Sequence, residues 1–328
     1  NKDYFELTGV HQLDDAFASN LANFSGRKIL LNDLQTLSEN HAKLIADFPG
    51  HIELNGLIHI DSGTAKKLTK HKRILRLNGL KEISNSTAKV FREFEGFLGL
   101  NGLETISSDA FEHLLSFKNK LSLNGLKTLP DGFQGIEKPQ NRHLKLNGLR
   151  EITKEGAREL AKTGGNLELD GLKNASKKAL FNLFMHKGTM SLNSLSTLPP
   201  LAAQSIAENR SRVCYETLCL NGITALSEQT AQYLGKAEDI GLNLDGITTM
   251  GESIAIHFNE FHGDLKLNGL QEIDEKTAGY LIAKQTGHGL SLGGLRKIDD
   301  QVAKVFSNMA AGSLKLGIAS LSDQGASY

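Results

Sequence analysis

Leu54-Asn55-Gly56-Leu57, Leu77-Asn78-Gly79-Leu80, Leu100-Asn101-Gly102-Leu103, Leu123-Asn124-Gly125-Leu126 and Leu146-Asn147-Gly148-Leu149 are five copies of one tetrapeptide at one spacing. The Asn position recurs every 23 residues through Asn32, Asn55, Asn78, Asn101, Asn124, Asn147, Asp170 and Asn193. It continues at Asn221, Asp245, Asn268, Gly293 and Gly317, with steps of 28, 24, 23, 25 and 24, and a weaker copy precedes it at Leu7-Thr8-Gly9-Val10. Fourteen motif positions therefore cover nearly all 328 residues. Self-similarity at this period marks a stacked repeat, in which each unit buries its apolar face only against its neighbours. An ordinary chain of this length would be divided into domains of ~150 residues. A stacked array has no single core to outgrow, and the chain reads as one domain over 1–328 of about fourteen repeats.

Each unit has two halves. In Ile52-Glu53-Leu54 and Leu144-Lys145-Leu146 apolar residues flank a variable one, the period-2 pattern of a strand with one buried face. The Asn-Gly pair that follows predicts a turn, Gly tolerating backbone geometries other residues resist. Gly fills its slot in eleven of fourteen copies, with Asp33, Ser194 and Ile318 the exceptions. The slot before it is Asn or Asp in eleven of fourteen. These side chains are read as a structural ladder, each bonding the backbone of an adjacent turn. The rival reading is a row of ligand-binding amides.

The second half predicts a short helix. Ser38, Ser84, Ser107, Thr153 and Ser227 are placed as N-caps. A small residue follows (Ala42, Ala65, Ala88, Ala157, Ala203, Ala231, Ala278, Ala303), then a large apolar one (Leu68, Phe91, Leu160, Ile206, Leu234, Leu281, Phe306). The small residue lets the helix approach the strands and the large one fills the core. Because helices are wider than strands, the expected fold is a curved, right-handed α/β solenoid with a parallel concave sheet. At ~4.8 Å per strand the array would run on the order of 60 Å along its curve.

The unit LxLNGLxxIxxxAF, seen at Leu98, Leu100, Leu103, Ile106, Ala110 and Phe111, resembles the bacterial leucine-rich repeats, most of all the 23-residue class of surface proteins. That class often has Pro after the strand and Cys closing the helical half, where this chain has Asn and no Cys. The resemblance implies binding to proteins, adhesion or a secreted effector role, at the cell surface or outside the cell. It does not by itself fix a function.

Two stretches break the rhythm. Pro130-Asp131-Gly132-Phe133-Gln134-Gly135 and Lys138-Pro139 stand where a helical half is due, predicting an irregular or 3₁₀ connection. The copy between Asn193 and Asn221 carries about five extra residues within Glu208 to Thr217, an insertion expected to protrude. It brings Cys214 close to Cys219, the only cysteines, with a local disulfide and two free thiols both open. The chain opens at Asn1 rather than Met and closes inside a unit, which reads as a processed or excised piece.

Charge excludes some partners. Lys plus Arg and Asp plus Glu number 37 each, so no global field attracts nucleic acid or anionic lipid. No apolar run approaches the ~20 residues that span a bilayer. Eleven His are scattered without HExxH, GxSxG or GxxxxGK[ST], and His257 and His262 look like polar helix surface. No cofactor, metal or catalytic residue is assigned. The function read here is a monomeric, non-catalytic scaffold for a protein or glycan. A spacer between domains and an enzyme site assembled across repeats are the alternatives. In each strand triplet the middle residue should face solvent on the concave side, and the residue before the triplet its edge. The candidate surface is Glu53, Arg76, Phe97, Lys120, His143, Lys145 and Glu168, where long and aromatic side chains concentrate.

Overall fold

The computed structural model describes residues 3–136, 143–208, 216–283, 288–309, 312–319, 321 and 323–327. It contains two compact units, Asn1–Ile152 with Lys162–Glu168, and Thr153–Ala161 with Leu169–Tyr328. The strands of the first are β1 (Tyr4–Glu6), β2 (Lys28–Leu30), β3 (His51–Glu53), β4 (Ile74–Arg76), β5 (Phe97–Gly99), β6 (Lys120–Ser122), β7 (His143–Lys145) and β8 (Asn166–Glu168). Each pairs in parallel with the next in chain order. The second unit repeats the scheme with β9 (Met190–Ser191), β10 (Glu216–Cys219), β11 (Ile240–Asn243), β12 (Leu265–Lys266), β13 (Gly289–Leu292) and β14 (Ser313–Leu316).

Strands of two to four residues suffice because the alternation is strict. Ile29, Ile52, Leu75, Leu98, Leu121, Leu144 and Leu167 are buried at one strand position, and Leu31, Leu54, Leu77, Leu100, Leu123 and Leu146 two residues on. Short helices close the core from the other side, in the first unit α1 (Asp15–Ala22), α2 (Glu39–Ala46), α3 (Ser62–Leu68), α4 (Asn85–Phe91) and α5 (Ser108–Leu115). The side chains of Ser38, Ser84, Ser107, Thr153 and Ser227 each accept the backbone N–H three residues on, as their N-cap reading requires. Asp14, Asp61, Asp274 and Asp299 do the same at other helices. The eight small alanines and the seven large residues of the helical halves are all buried.

The turn after each strand is held by its Asn. Asn78, Asn101, Asn124 and Asn147 donate their backbone N–H to the Oδ1 of Asn55, Asn78, Asn101 and Asn124, each at 3.0 Å. In the second unit Asp170, Asn193, Asn221, Asp245 and Asn268 accept in turn from Asn193, Asn221, Asp245, Asn268 and Gly293. Asn32 accepts from Asn55 at 3.3 Å. Asp and Asn alternate freely because only the Oδ1 acceptor is used in this bond.

The glycine of the turn has a different reason from the one its sequence suggested. Gly56, Gly79, Gly102, Gly125 and Gly148 do not take positive φ. A Cβ on Gly102 would lie 2.0 Å from the carbonyl oxygen of Asn78 and 2.6 Å from that of Leu80. Stacked turns come too close for any side chain, so close approach, rather than backbone freedom, demands Gly here.

The stretch from Pro130 lacks a helix over 130–136, as its Pro and Gly predict, and residues 137–142 fall outside the described residues. Gly132 supplies a true positive φ of 74°. It brings Phe133 into the core, edge-on to Phe111 at 5.0 Å between ring centroids. The insertion expected within Glu208 to Thr217, with Cys214, falls for the most part on 209–215, outside the described residues. His257 and Glu260 lie in a 3₁₀ segment, Ile256–Glu260, and His262 in an isolated bridge to Glu238, so they are not the face of one α-helix.

One column of the core has no counterpart in the sequence reading. Phe24 stacks on Phe48 (6.1 Å, 15° between planes), and His71 on Phe94 (6.4 Å) and Phe94 on Phe117 (6.3 Å), the latter two both at 14°. These residues close the helical halves at steps near the repeat length. His71 is buried, and burial lowers its pKa from the ordinary imidazole value, so it fills this slot neutral at pH 7.

Replacing Asn101 by Ala strands the Asn124 N–H and removes the acceptor of the Ser122 hydroxyl, which lies 2.7 Å from Asn101 Oδ1. A loss of about 2–4 kcal/mol is expected. Asn101→Asp keeps the acceptor and should lose about 1 kcal/mol or less. Urea denaturation of the full chain measures both, and an equal loss in the two variants contradicts the ladder role.

Candidate binding face of the first unit

Because neighbouring strands pair in register, the residues at one strand position form a row. Glu53 pairs with Arg76, Arg76 with Gly99, Gly99 with Ser122, Ser122 with Lys145 and Lys145 with Glu168. These six residues, the last of β3–β8 and the middle of each apolar-flanked triplet, therefore lie side by side, about 4.8 Å apart.

At one end of the row Glu53 is clamped. Lys28 Nζ lies 2.9 Å from its Oε1, Arg76 Nη1 donates to the same oxygen, and Asn55 Nδ2 reaches Oε2 at 3.3 Å. Glu53 is only 7% exposed, so the expectation that it faces solvent is corrected: its cross-strand neighbours cover it. Burial by itself would raise its pKa, but the hydrogen bonds and charges of Lys28 and Arg76 outweigh burial and hold the carboxyl below its ordinary value. Arg76 is also placed over the Phe97 ring, 6.0 Å from its centroid. Beside them the pKa of His51 is lowered, first by burial and then by the charges of Arg76, Arg73 and Lys28.

At the other end Glu168 plays the same part. His143 Nε2 lies 2.5 Å from its Oε1, Lys145 Nζ 2.9 Å from the same atom, and Asn147 donates to Oε2 at 3.0 Å. Burial again opposes ionisation, and the bonds from Lys145, Asn147 and His143 overcome it. Between the clamps the row holds only Gly99 and Ser122, both buried. Ser122 is fixed by the ladder Asn101, and a Cβ on Gly99 would meet Arg76 Cγ and Asn78 Oδ1, each at 3.2 Å. The middle position thus reaches solvent less than strand alternation alone suggests.

The seven candidate residues consequently form two groups and one outlier. Arg76 touches both Glu53 and Phe97, and Glu168 touches both His143 and Lys145. Lys120 is exposed on the strand edge and in neither group. Lys28 belongs to the first group and was missed as a site residue; Asn55 and Asn147, read as ladder residues, also join these groups through their Nδ2. The signal was the repeat itself, which sets Lys28 beside His51.

Both carboxylates are held ionised by two basic partners, so they fix side chains and are poorly suited to trade protons near neutrality. Among the described residues no three His, Cys, Asp or Glu side chains could hold a metal ion, and no helix is long and apolar enough to cross a membrane. In the second unit Cys219 is half-buried with its thiol pKa raised by burial, and Asn243 donates to its Sγ at 3.2 Å. There the row ends in a shallow depression of about 290 Å³ edged by Asp264, Lys266, Ser291 and Lys315.

Acid should test the first clamp. Since the folded-state pKa of Glu53 is lowered, its contribution is complete above the unfolded carboxylate pKa of ~4.3 and is lost as pH falls through the folded value. Glu53→Gln should cost about 1–3 kcal/mol at pH 7. That difference should shrink below pH ~4 as the carboxylate of the parent protein takes up a proton. Denaturant titrations of both proteins across that range measure the convergence; a pH-independent difference contradicts the ionised clamp.

No family model matches the chain, and no curated protein does. Among solved structures it is similar to a chain of the Toll–Spatzle complex of Drosophila, at 17% identity and a TM-score of 0.50, over 85% of this chain and 38% of that one. It also matches an internalin (inlF) of Listeria monocytogenes at 13% identity and a TM-score of 0.37, over 92% of this chain and 84% of that one. The chain thus spans 38% of the length of the Toll-complex chain. The parallel strands in chain order, the helical returns and the first of these likenesses establish the fold class read from the repeat, a leucine-rich-repeat solenoid.

Proposed function

We propose that this chain is a non-catalytic scaffold that binds a protein partner across the strand face of its first unit. The observation that carries the reading is the pair of clamps. Arg76 is held by Glu53 and Phe97, and Lys145 and His143 by Glu168, before any partner arrives. Long side chains lose less rotamer freedom on binding when they are already fixed, and Arg and aromatic residues are favoured anchors of protein interfaces. Gly99 and Ser122 leave a low floor between the anchors onto which partner side chains fit. That Toll is seen in a complex with Spatzle agrees with such a use of the fold. A partner recognised outside the cell or at its envelope follows from the resemblance of the repeat to bacterial surface proteins, and a glycan is the second class of ligand to be tested.

The experiment is a pull-down from the native environment with the intact chain and with an Arg76→Ala, Phe97→Ala, Lys145→Ala variant. Loss of a captured protein in the variant, with circular dichroism unchanged, is the expected result. Capture of the same protein by both overturns the assignment of the face. Retention of function after deletion of two whole central repeats would favour a spacer.

A further inference from the structure

Along the edge of the first unit where its strands begin, the charge balance differs from that of the whole chain. A shallow depression of about 390 Å³ lies there, with Ile74, Gly96 and Phe97 at its base. Its open floor follows from Gly96. A Cβ there would lie 1.7 Å from the Arg73 carbonyl oxygen, so stacking of the turns excludes any side chain between the β4 and β6 rims. Ile74 and Phe97 are register partners and form an apolar, half-buried wall. Three cations edge the depression, Lys72, Arg73 and Lys120, against one carboxylate, Glu95. Glu95 is taken up by Lys72 at 2.7 Å. Arg73 and Lys120 are exposed, and among the described residues neither has a carboxylate partner. Lys118, also exposed, adds a further cation two residues from Lys120.

We propose that this depression is the anchoring pocket for a short extended acidic segment of the protein partner, carrying one apolar side chain and, two residues away, a carboxylate. The inference rests on the protein-binding reading of this face and specifies the chemistry of its ligand. Its spacing comes from strand geometry. Strands lie about 4.8 Å apart, so one and a half steps, from the middle of the Ile74–Phe97 wall to Lys120 on β6, cover about 7 Å. An extended segment repeats the direction of its side chains every two residues, or about 6.8 Å. An apolar side chain seated on the Ile74–Phe97 wall thus sets the second-next residue beside Lys120, with Arg73 free for a further carboxylate. Arg76, occupied by Glu53 and Phe97, stiffens the wall instead of binding the anion. The zero net charge of the chain argues against a long polyanion, while an uncompensated pair of cations suits a short one.

The test uses the full chain and immobilised peptides in which a Leu or Phe is followed two residues later by Glu, in a Gly-Ser background. Controls replace the Glu by Gln or the apolar residue by Ser. The expected result is binding that needs both groups, weakens as salt is raised, and drops at least tenfold in an Arg73→Glu, Lys120→Glu variant. Both sites are exposed, so folding should be unaffected, and a single Lys120→Gln variant with a smaller drop guards against charge-induced misfolding. Equal binding of acidic and neutral peptides, or undiminished binding by the double variant, overturns the proposal. So does preferential capture of a sulfated glycan such as heparin. Should the peptides fail while the Arg76, Phe97, Lys145 variant still loses its captured partner, the pocket chemistry is wrong and the binding face stands. Should both fail, the face itself is wrong.

Discussion

Everything in this molecule depends on one hydrogen bond made repeatedly: the side-chain oxygen of Asn or Asp in one turn accepts the backbone N–H of the equivalent residue in the next. This bond satisfies a donor that a buried turn would otherwise leave unpaired. It also fixes the register, because it forms only when equivalent residues stand side by side. With register fixed, the carbonyls of one turn press on the Cα of the next, and turns such as those of Gly56, Gly79, Gly102, Gly125 and Gly148 leave no room for a side chain at the following position. The same register aligns apolar strand residues into continuous buried rows and aligns the variable positions into a readable surface row.

A core only one repeat deep has to be filled by rules that work at every copy. The strand contributes two buried apolar residues, the helix a small residue and a large one, and the end of the helical half a ring. Where the rule is broken, the substitute is local. The first unit lacks a helix over 130–136, and Phe133 turns inward to meet Phe111. His71 stands among phenylalanines as a neutral imidazole stacked on Phe94. Stability of such an array is a sum of local terms and nearest-neighbour contacts, so local substitutions of this kind are absorbed without redesign elsewhere.

The fold was legible in the sequence because its determinants are periodic and local. Asn32 to Asn268, the N-cap serines and the Ala–Leu pairs all announce themselves at fixed offsets. The aromatic column was not legible. Phe24, Phe48, Phe94 and Phe117 lie past the helical pattern of Ala and a large apolar residue, and His71 interrupts their series. The role of the turn glycine was misread because a tetrapeptide shows its own backbone and not the carbonyl of the turn stacked above it. The candidate surface was legible as a set of positions but not as chemistry. Nothing at Glu53 says that Lys28 and Arg76, 25 and 23 residues away, converge on it. Alternation assigned Glu53 and Ser122 to solvent; cross-strand neighbours and the Asn ladder bury them.

If the strand face of the first unit binds as proposed, the clamps are what would make a surface on so regular a frame specific. A repeat places side chains at equal intervals, which alone would offer any partner a uniform grating. Glu53 and Glu168 break that uniformity by fixing the basic groups around them, at both ends of a stretch whose middle is Gly99 and Ser122. Each carboxylate sits below its ordinary pKa because its partners outweigh its burial, so each stays charged and keeps its neighbours oriented at neutral pH. The charges so engaged are no longer free to attract ligands. In the proposed binding mode attraction falls to Arg73 and Lys120 on the strand edge, which among the described residues have no carboxylate partner, while the clamped groups supply shape. Dividing the two tasks between the row and its edge lets the frame remain periodic while its surface is not.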